Sequence, residues 1–414
     1  MTVPAHLGEP EPLSKDGPLL NEVIAKATEG SALSDADAFS LLAAGPGATQ
    51  DICAAASAMR DEGKGKTITF SPKVFIPLTH LCRDFCGYCT FRKDPKQAGK
   101  DLFMTPEQVL DVAKAGAALG CTEALFTLGE RPEQRYPEAK EWLEHRGFRT
   151  TLEYLVHVCQ LVSEETSMLP HANPGTMARR EIAALKPFNP SMGLMLESTS
   201  EALYAQGGPH EFAPSKRPRV RLRTLELAGQ LRVPFTTGIL IGIGESRRDR
   251  IESLLAIARL HAKFGHIQEV IIQNFRAKPD TAMEGFPDAE TAEFLWTVAV
   301  ARLILGPEAN IQVPPNLSAG NYQIYLDAGI NDWGGVSPLT IDFVNPEAPW
   351  PALTELRKKT EAAGFQLRPR LPVYPEYFLD TKEFLPDALH EKVSAMADLE
   401  GYVREGMQRY AGRN

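Results

Sequence analysis

The chain is 414 residues long, with 43% hydrophobic and 23% charged residues. That is an ordinary globular composition, which excludes a disordered or collagen-like polymer and leaves room for two or three domains or one barrel with extensions. Its 44 Lys and Arg against 53 Asp and Glu give a formal net charge of −9, so no basic field is present to hold a nucleic-acid backbone.

Met1–Lys15 is polar, rich in Pro and Glu, and lacks the apolar stretch of a secretion signal, so a cytoplasmic location is expected. Residues 1–67 read as an N-terminal helical extension: Asp35-Ala36-Asp37 precedes an apolar patch at Phe39, Leu41 and Leu42, and Ile52–Met59 is Ala-rich. From Thr67 the pattern changes to short apolar runs separated by amphipathic stretches. The runs are Val74–Leu78, Glu123–Leu128, Met168–His171, Met192–Leu196, Phe235–Ile243, Val270–Phe275, Asn310–Val313 and a weaker one at Gly329–Trp333. Between the first two, Thr105-Pro106-Glu107-Gln108 supplies an N-cap, a Pro at the first helical position and a capping-box Gln. Ile251, Leu254, Leu255 and Ala258 repeat a helical spacing. Strands alternating with such helices predict parallel β/α units, and eight of them predict an α/β fold, a closed (βα)8 barrel of the TIM type, over residues 68–370. Residues 371–414 read as a Pro/Tyr-rich connector and a helix near Pro386–Glu405, a short C-terminal helical tail. No run reaches the ~18 apolar residues of a membrane span; the longest, Val233–Gly244, is broken by Pro234, Thr236 and Thr237.

In a barrel of this type chemistry gathers at the C-terminal ends of the strands. There are six cysteines, too few for a disulfide scaffold. Cys53, Cys121 and Cys159 are isolated and read as core residues. Cys82, Cys86 and Cys89 crowd onto the loop leaving the first barrel strand. Structural zinc normally takes four ligands in two paired clusters, and only His80 is near enough to help complete a tetrahedron. Three thiolates suit three irons of a 4Fe-4S cube and leave one iron open to a chelating substrate or cofactor. Asn173, Gln273-Asn274 and Asn316 place amides at three further strand ends. Together they can read a heterocycle of alternating donors and acceptors, so Asn173, Asn274 and Asn316 are the expected substrate contacts.

The C-x3-C-x2-C spacing, with Tyr88 before the last cysteine and at the end of strand one of a β/α barrel, resembles the radical S-adenosylmethionine (SAM) superfamily. The resemblance implies that SAM chelates the open iron and is cleaved to methionine and a 5′-deoxyadenosyl radical. It also implies roles by position. Gly129-Glu130 resembles the superfamily's "GE" motif, whose carboxylate binds the SAM ammonium. Glu197 and Ser198, at the end of strand four, match a contact to the SAM ribose or methionyl group. Arg221 resembles an arginine that pairs the SAM carboxylate, and Gly242 lies in a segment like the glycine-bearing fifth strand that approaches the adenine. Tyr88 joins them on the cofactor side.

Val74–Arg92, Ala172–Met177, Gly193–Ala202, Phe235–Ser246, Gln273–Met283, Gln312–Gly320, Ile330–Thr340 and Val344–Pro351 together resemble, over about residues 67 to 370, the deazaflavin-forming family. Its members make 7,8-didemethyl-8-hydroxy-5-deazariboflavin (FO), the precursor of coenzyme F-420. The discriminating stretch is Asn331-Asp332-Trp333-Gly334-Gly335, followed by Ser337-Pro338-Leu339-Thr340. Its carboxylate and indole, Asp332 and Trp333, are the catalytic candidates bordering the substrate. The resemblance implies a lyase that takes a tyrosine-derived hydroxybenzyl adduct of 5-amino-6-ribitylaminouracil, abstracts hydrogen, closes a ring and releases ammonia. It implies as partners a sister radical SAM enzyme that makes the adduct and a reducing electron donor such as a ferredoxin or flavodoxin, with neither nucleic acid nor membrane. Some relatives fuse both halves in one longer chain; one cysteine triad here implies one half-reaction. The alternatives are the sister condensing enzyme, a menaquinone-pathway relative, or a non-catalytic iron-sulfur or zinc module.

Overall fold

The computed structural model describes residues 19–45, 47–318 and 320–407, so the polar segment Met1–Lys15 lies outside the described residues. Three helices come first: α1 (Leu20–Thr28), α2 (Asp35–Ser40) and α3 (Ala48–Lys64). A capping box starts α2, the Ser34 hydroxyl accepting from the Asp37 amide and the Asp37 carboxylate accepting from the Ser34 amide. α3 buries Ile52, Ala56 and Met59. On the same helix the buried Arg60 donates to the carbonyls of Leu326 and Ile330 at 2.8 and 2.9 Å, tying α3 to the turn before the last barrel strand.

Eight strands then follow: β1 (Thr67–Thr79), β2 (Glu123–Leu128), β3 (Leu169–Asn173), β4 (Ser191–Gly193), β5 (Phe235–Ile241), β6 (Ile267–Asn274), β7 (Ile311–Gln312) and β8 (Asp332–Val336). Each pairs in parallel with the next, and β1 pairs with both β2 and β8, which closes the ring. This is the expected TIM-type barrel. Its strands are apolar runs because helices cover the outside, including the predicted one, Pro106–Ala118, capped by Thr105. Several bounds differ from expectation: β1 begins at Thr67 and not at Val74, β6 at Ile267 and not at Val270, and two others have a visible local cause. β4 stops at Gly193, with the chain turning through Glu197 at φ 66; Leu194 donates to the Thr236 carbonyl, and Glu197 forms an isolated parallel bridge to β5, donating to the Gly238 carbonyl and accepting from the Leu240 amide. β8 begins only at Asp332, because Gly329 ends a tight turn at φ 88.

A ninth strand, β9 (Gln366–Pro369), was not expected; it pairs with Thr67–Phe70 at the start of β1. Beyond it the Pro/Tyr-rich connector runs beneath the N-terminal end of the barrel instead of leading away. The Pro372 carbonyl accepts from Ser191 Oγ at 2.5 Å and from Gln268 Nε2 at 3.0 Å. Leu371, Val373, Tyr374 and Phe378 pack with Leu389 and Val393 of the helix Asp387–Met396 around Leu169. That helix ends at Met396 and not near Glu405, because Ala397 and Val403 form an antiparallel bridge and Tyr402 bridges to Arg370. The segment beyond residue 370 is thus the floor of the barrel. Among the described residues no helix is long and apolar enough to cross a membrane.

Candidate active site

The thiols of Cys82, Cys86 and Cys89 line one end of a cavity of about 340 Å³ inside the barrel. The Cys82 sulfur accepts the Glu130 backbone amide at 3.1 Å, so the end of β2 is laid directly on the cysteine loop. Only glycine permits this approach: a β-carbon at Gly129 would overlap the Leu81 carbonyl and come within 2.8 Å of Cys82 Cβ. Burial pushes the Cys82 thiol up to about 12 and the Cys86 thiol higher, with Lys216 pulling Cys86 the other way. Thiolates in so dry a place require cations beside them, as iron would provide. Among the described residues no three His, Cys, Asp or Glu side chains gather closely enough to hold one metal ion. A cube taking one thiolate per iron does not require them to. His80, the nearby candidate for a zinc tetrahedron, is turned instead to the Phe91 carbonyl at 2.9 Å. The donor set therefore fits a 4Fe-4S cube better than zinc.

Carboxylates and cations flank the thiols. Glu130 accepts from the Thr176 amide at 2.9 Å and the Thr176 hydroxyl at 2.5 Å, with Arg83 and Arg131 each 3.6 Å away. Gly175, at φ 86, leaves the space this carboxylate fills; a β-carbon there would overlap Glu130 Oε2. Burial pushes the Glu130 carboxyl up, against the pull of Thr176 and Arg221. Glu197 meets the opposite balance: despite its burial, Lys216 and Arg221 hold its carboxyl down. It is ion-paired with Lys216 and lies 3.8 Å from Arg221. Arg221 itself is buried and donates to the Ser215 and Met195 carbonyls, so it is no exposed helical charge. The Tyr88 hydroxyl meets His210 Nε2 at 2.9 Å, and burial raises its phenol well above the ordinary value.

Deeper in, the cavity turns polar. Lys73 of β1 and Glu123 of β2 form an ion pair at 2.8 Å, and Ser71 donates to the same carboxylate. Although burial alone would raise it, Lys73, His171 and Arg370 hold the Glu123 carboxyl down at about 2. His171, Thr236, Glu269 and Gln312 continue the ring, and Arg370 enters from the floor to bond Asp332 and Glu269 at 2.6 Å each. Phe75 and Trp350, stacked with centroids 5.2 Å apart, form an aromatic side wall.

The structure brings Cys82, Cys86, Cys89, Tyr88, Glu130, Glu197, Arg221, Asn173 and Asn274 to this one cavity. It does not bring the others. Trp333 points outward, its indole donating to Thr360 Oγ1 at 3.0 Å and its ring set edge-on to Tyr322. The Asp332 carboxylate is fully buried and occupied by Arg370, Thr69 and the Gly334 amide, a floor anchor and not a group bordering substrate. Asn316 turns its amide to Asp342 and the Ala348 carbonyl, fixing a loop. Ser198 Oγ accepts the Ser200 amide in a local turn. Gly242, at φ 98, faces Ala289 and binds Glu245 through its amide, so its missing side chain serves packing. Reasoning from sequence missed Lys73, Glu123, His171, Gln312, Thr176 and Lys216. The available signal was a charge within β1 and another at the head of β2, both on buried strands, where each must find a partner inside.

A Radical SAM superfamily model matches residues 76–257. The chain is 51% identical over 407 residues to the FO synthase of Streptomyces coelicolor, covering 95% of this chain and 47% of that one. It is 48% identical to the FO synthase of Mycobacterium tuberculosis, with 92% and 46% covered. It thus spans about half the length of these curated relatives. The 7,8-didemethyl-8-hydroxy-5-deazariboflavin synthase of Methanopyrus kandleri is 52% identical over 337 residues, 81% of this chain and 100% of that protein. Among solved structures, the FeFe-hydrogenase maturase HydG from Carboxydothermus hydrogenoformans superposes with a TM-score of 0.67 at 21% identity, covering 90% of this chain and 87% of that one, which speaks for the fold alone. With a full-length relative at that identity, and with the thiols and Glu130 meeting at one end of the barrel cavity, the chain belongs to the 7,8-didemethyl-8-hydroxy-5-deazariboflavin synthase family of the radical SAM superfamily.

Proposed function

We propose that this chain forms the deazaflavin FO from the tyrosine-derived hydroxybenzyl adduct of 5-amino-6-ribitylaminouracil, by hydrogen abstraction, ring closure and release of ammonia, and is therefore a lyase. The observation that carries this reading is the single cavity, with three thiols and Glu130 at one end and the polar side chains of Lys73, Glu123, His171 and Gln312 at the other. The chemistry supplied by a bound cluster and SAM is one-electron cleavage of SAM to methionine and a 5′-deoxyadenosyl radical. The chain's own residues hold and orient. Cys82, Cys86 and Cys89 take three irons, and Glu130 receives the SAM ammonium in a charge-assisted bond. Glu197, held ionised between Lys216 and Arg221, lies on the cofactor side with Tyr88. Asn173, Gln273 and Asn274 face the substrate. The barrel wall excludes water, which a carbon radical requires. All six cysteines are free, which suits the reducing cytoplasm, where a ferredoxin or flavodoxin would supply the electron and a sister radical SAM enzyme the adduct.

The test is anaerobic reconstitution, followed by SAM and reductant with either the adduct or tyrosine plus the aminouracil. 5′-Deoxyadenosine, methionine and ammonia should appear with the adduct. Turnover of tyrosine plus the aminouracil would instead assign the chain to the sister reaction.

A further inference from the structure

The polar end of the cavity is built around one unpartnered ring nitrogen. His171, 6% exposed, meets Ser191 Oγ through Nδ1 at 2.7 Å. Ser191 has a single hydroxyl proton, and it goes to the Pro372 carbonyl at 2.5 Å, an atom that can only accept. Ser191 must therefore accept from His171, which fixes the proton on Nδ1 and leaves Nε2 with a bare lone pair. Among the described residues Nε2 has no protein partner. The strand beside it keeps it open: a β-carbon at Gly193 would stand 3.0 Å from it. Burial, with a smaller contribution from Lys73 and Arg370 against Glu123, pushes His171 down to about 4, so the ring is a neutral acceptor at ordinary pH.

Two donors line the same cavity. Lys73 is bonded to Glu123 and has further ammonium protons to give. The Gln312 amide has no protein partner among the described residues. Both side chains occupy room that β8 provides: β-carbons at Gly335 and Gly334 would overlap Lys73 and the Gln312 amide respectively. A buried bare acceptor calls for an N–H, and the N–H of a cyclic imide is one that stays uncharged and carries carbonyl oxygens for donors elsewhere in the cavity. The adjoining Arg370 group is different in kind, because its partners Asp332 and Glu269 already satisfy it.

We infer that His171 reads the pyrimidine-dione edge of the substrate, its Nε2 accepting the imide N–H, with Lys73 and Gln312 as further donors of the same cavity for substrate oxygens. The inference rests on the functional reading above, which supplies a pyrimidine-dione as ligand. It places the heterocycle at the barrel floor and the reacting hydroxybenzyl end toward the thiols.

The test measures binding of two fluorescent probes, FO and its N3-methyl analogue, to the reconstituted holoenzyme. The wild type should prefer FO at least tenfold, since a buried acceptor facing a methyl group is left unpaired. His171→Asn keeps a donor near the Nδ1 position for Ser191 but removes the acceptor, so it should bind both probes alike. His171→Gln returns an acceptor near the Nε2 position and should restore part of the preference, a rescue that a merely structural role would not give. Iron content and melting temperature establish that each variant is folded. An undiminished preference in folded His171→Asn overturns the inference while the functional reading stands. A preference that depends instead on the ribityl chain, read with an N10-ethyl probe, also overturns it. A wild type that binds neither probe overturns both.

Discussion

At Glu130 a carboxylate is kept beside three thiols by two glycines that have no side chain to put in its way. If it accepts the SAM ammonium, its loss removes a bond of about 1.5–3 kcal/mol and weakens SAM about ten- to a hundredfold, Glu130→Ala more than Glu130→Gln, with iron content unchanged. Gly175→Ala should do the same while leaving residue 130 a glutamate, because the new β-carbon overlaps Glu130 Oε2 and displaces it, and φ 86 already disfavours any side chain. SAM titration followed by the cluster's absorbance checks all three; wild-type affinity in Gly175→Ala would mean that the carboxylate's position is immaterial. The pair Gly129-Glu130 was legible because it ends an apolar strand and resembles the superfamily's "GE" motif. Thr176 was not: a Thr after Pro-Gly looks like an ordinary turn, and only the fold brings its hydroxyl to Glu130.

At the scale of the element, β8 serves the cavity mainly by what it leaves out. Its discriminating Asp-Trp-Gly-Gly stretch divides by direction: Asp332 anchors Arg370 in the floor, Trp333 packs outward on Thr360, and Gly334 and Gly335 make room for Gln312 and Lys73. Sequence reading took the carboxylate and the indole for the chemistry because those are the reactive groups, and gave the glycines no role. Which face a strand residue takes in a barrel follows from register with its neighbours, and register is not written in β8 alone. Arg370→Met should leave Asp332 and Glu269 buried without their cation and cost about 3–5 kcal/mol. The urea midpoint measures this, and adding Asp332→Asn and Glu269→Gln should recover part of the loss. An unchanged midpoint for Arg370→Met would show that the floor is not held by that cluster.

Over the whole molecule, barrel closure was legible because each strand run is short, apolar and followed by a helical period. The floor was not, since a Pro/Tyr-rich segment has no period and takes its shape from the N-terminal end of the barrel that it covers. Folding also buries neutral imidazoles. Burial lowers His171 to about 4, with Glu123 opposing and Lys73 and Arg370 assisting, and His266 to about 4, with the Leu225 carbonyl opposing and His261 assisting. The unfolded chain binds these protons near the ordinary value of ~6.5, so stability is complete above that and declines as pH falls toward 4. Glu123, held down at about 2, extends the decline from its ordinary range near 4.5 downward. The melting temperature of the cluster-free protein should therefore fall between pH 7 and 5, before most carboxylates titrate; a flat profile there would contradict neutral burial. The central claim is that one cavity joins a radical-generating end to a pyrimidine-reading end in the service of deazaflavin formation. Its most direct measurement is FO fluorescence from the anaerobically reconstituted protein given the adduct, SAM and reductant. Emission should rise with time alongside 5′-deoxyadenosine and be absent from Cys82→Ala, Cys86→Ala and Cys89→Ala. Deoxyadenosine accumulating with no deazaflavin emission would contradict it.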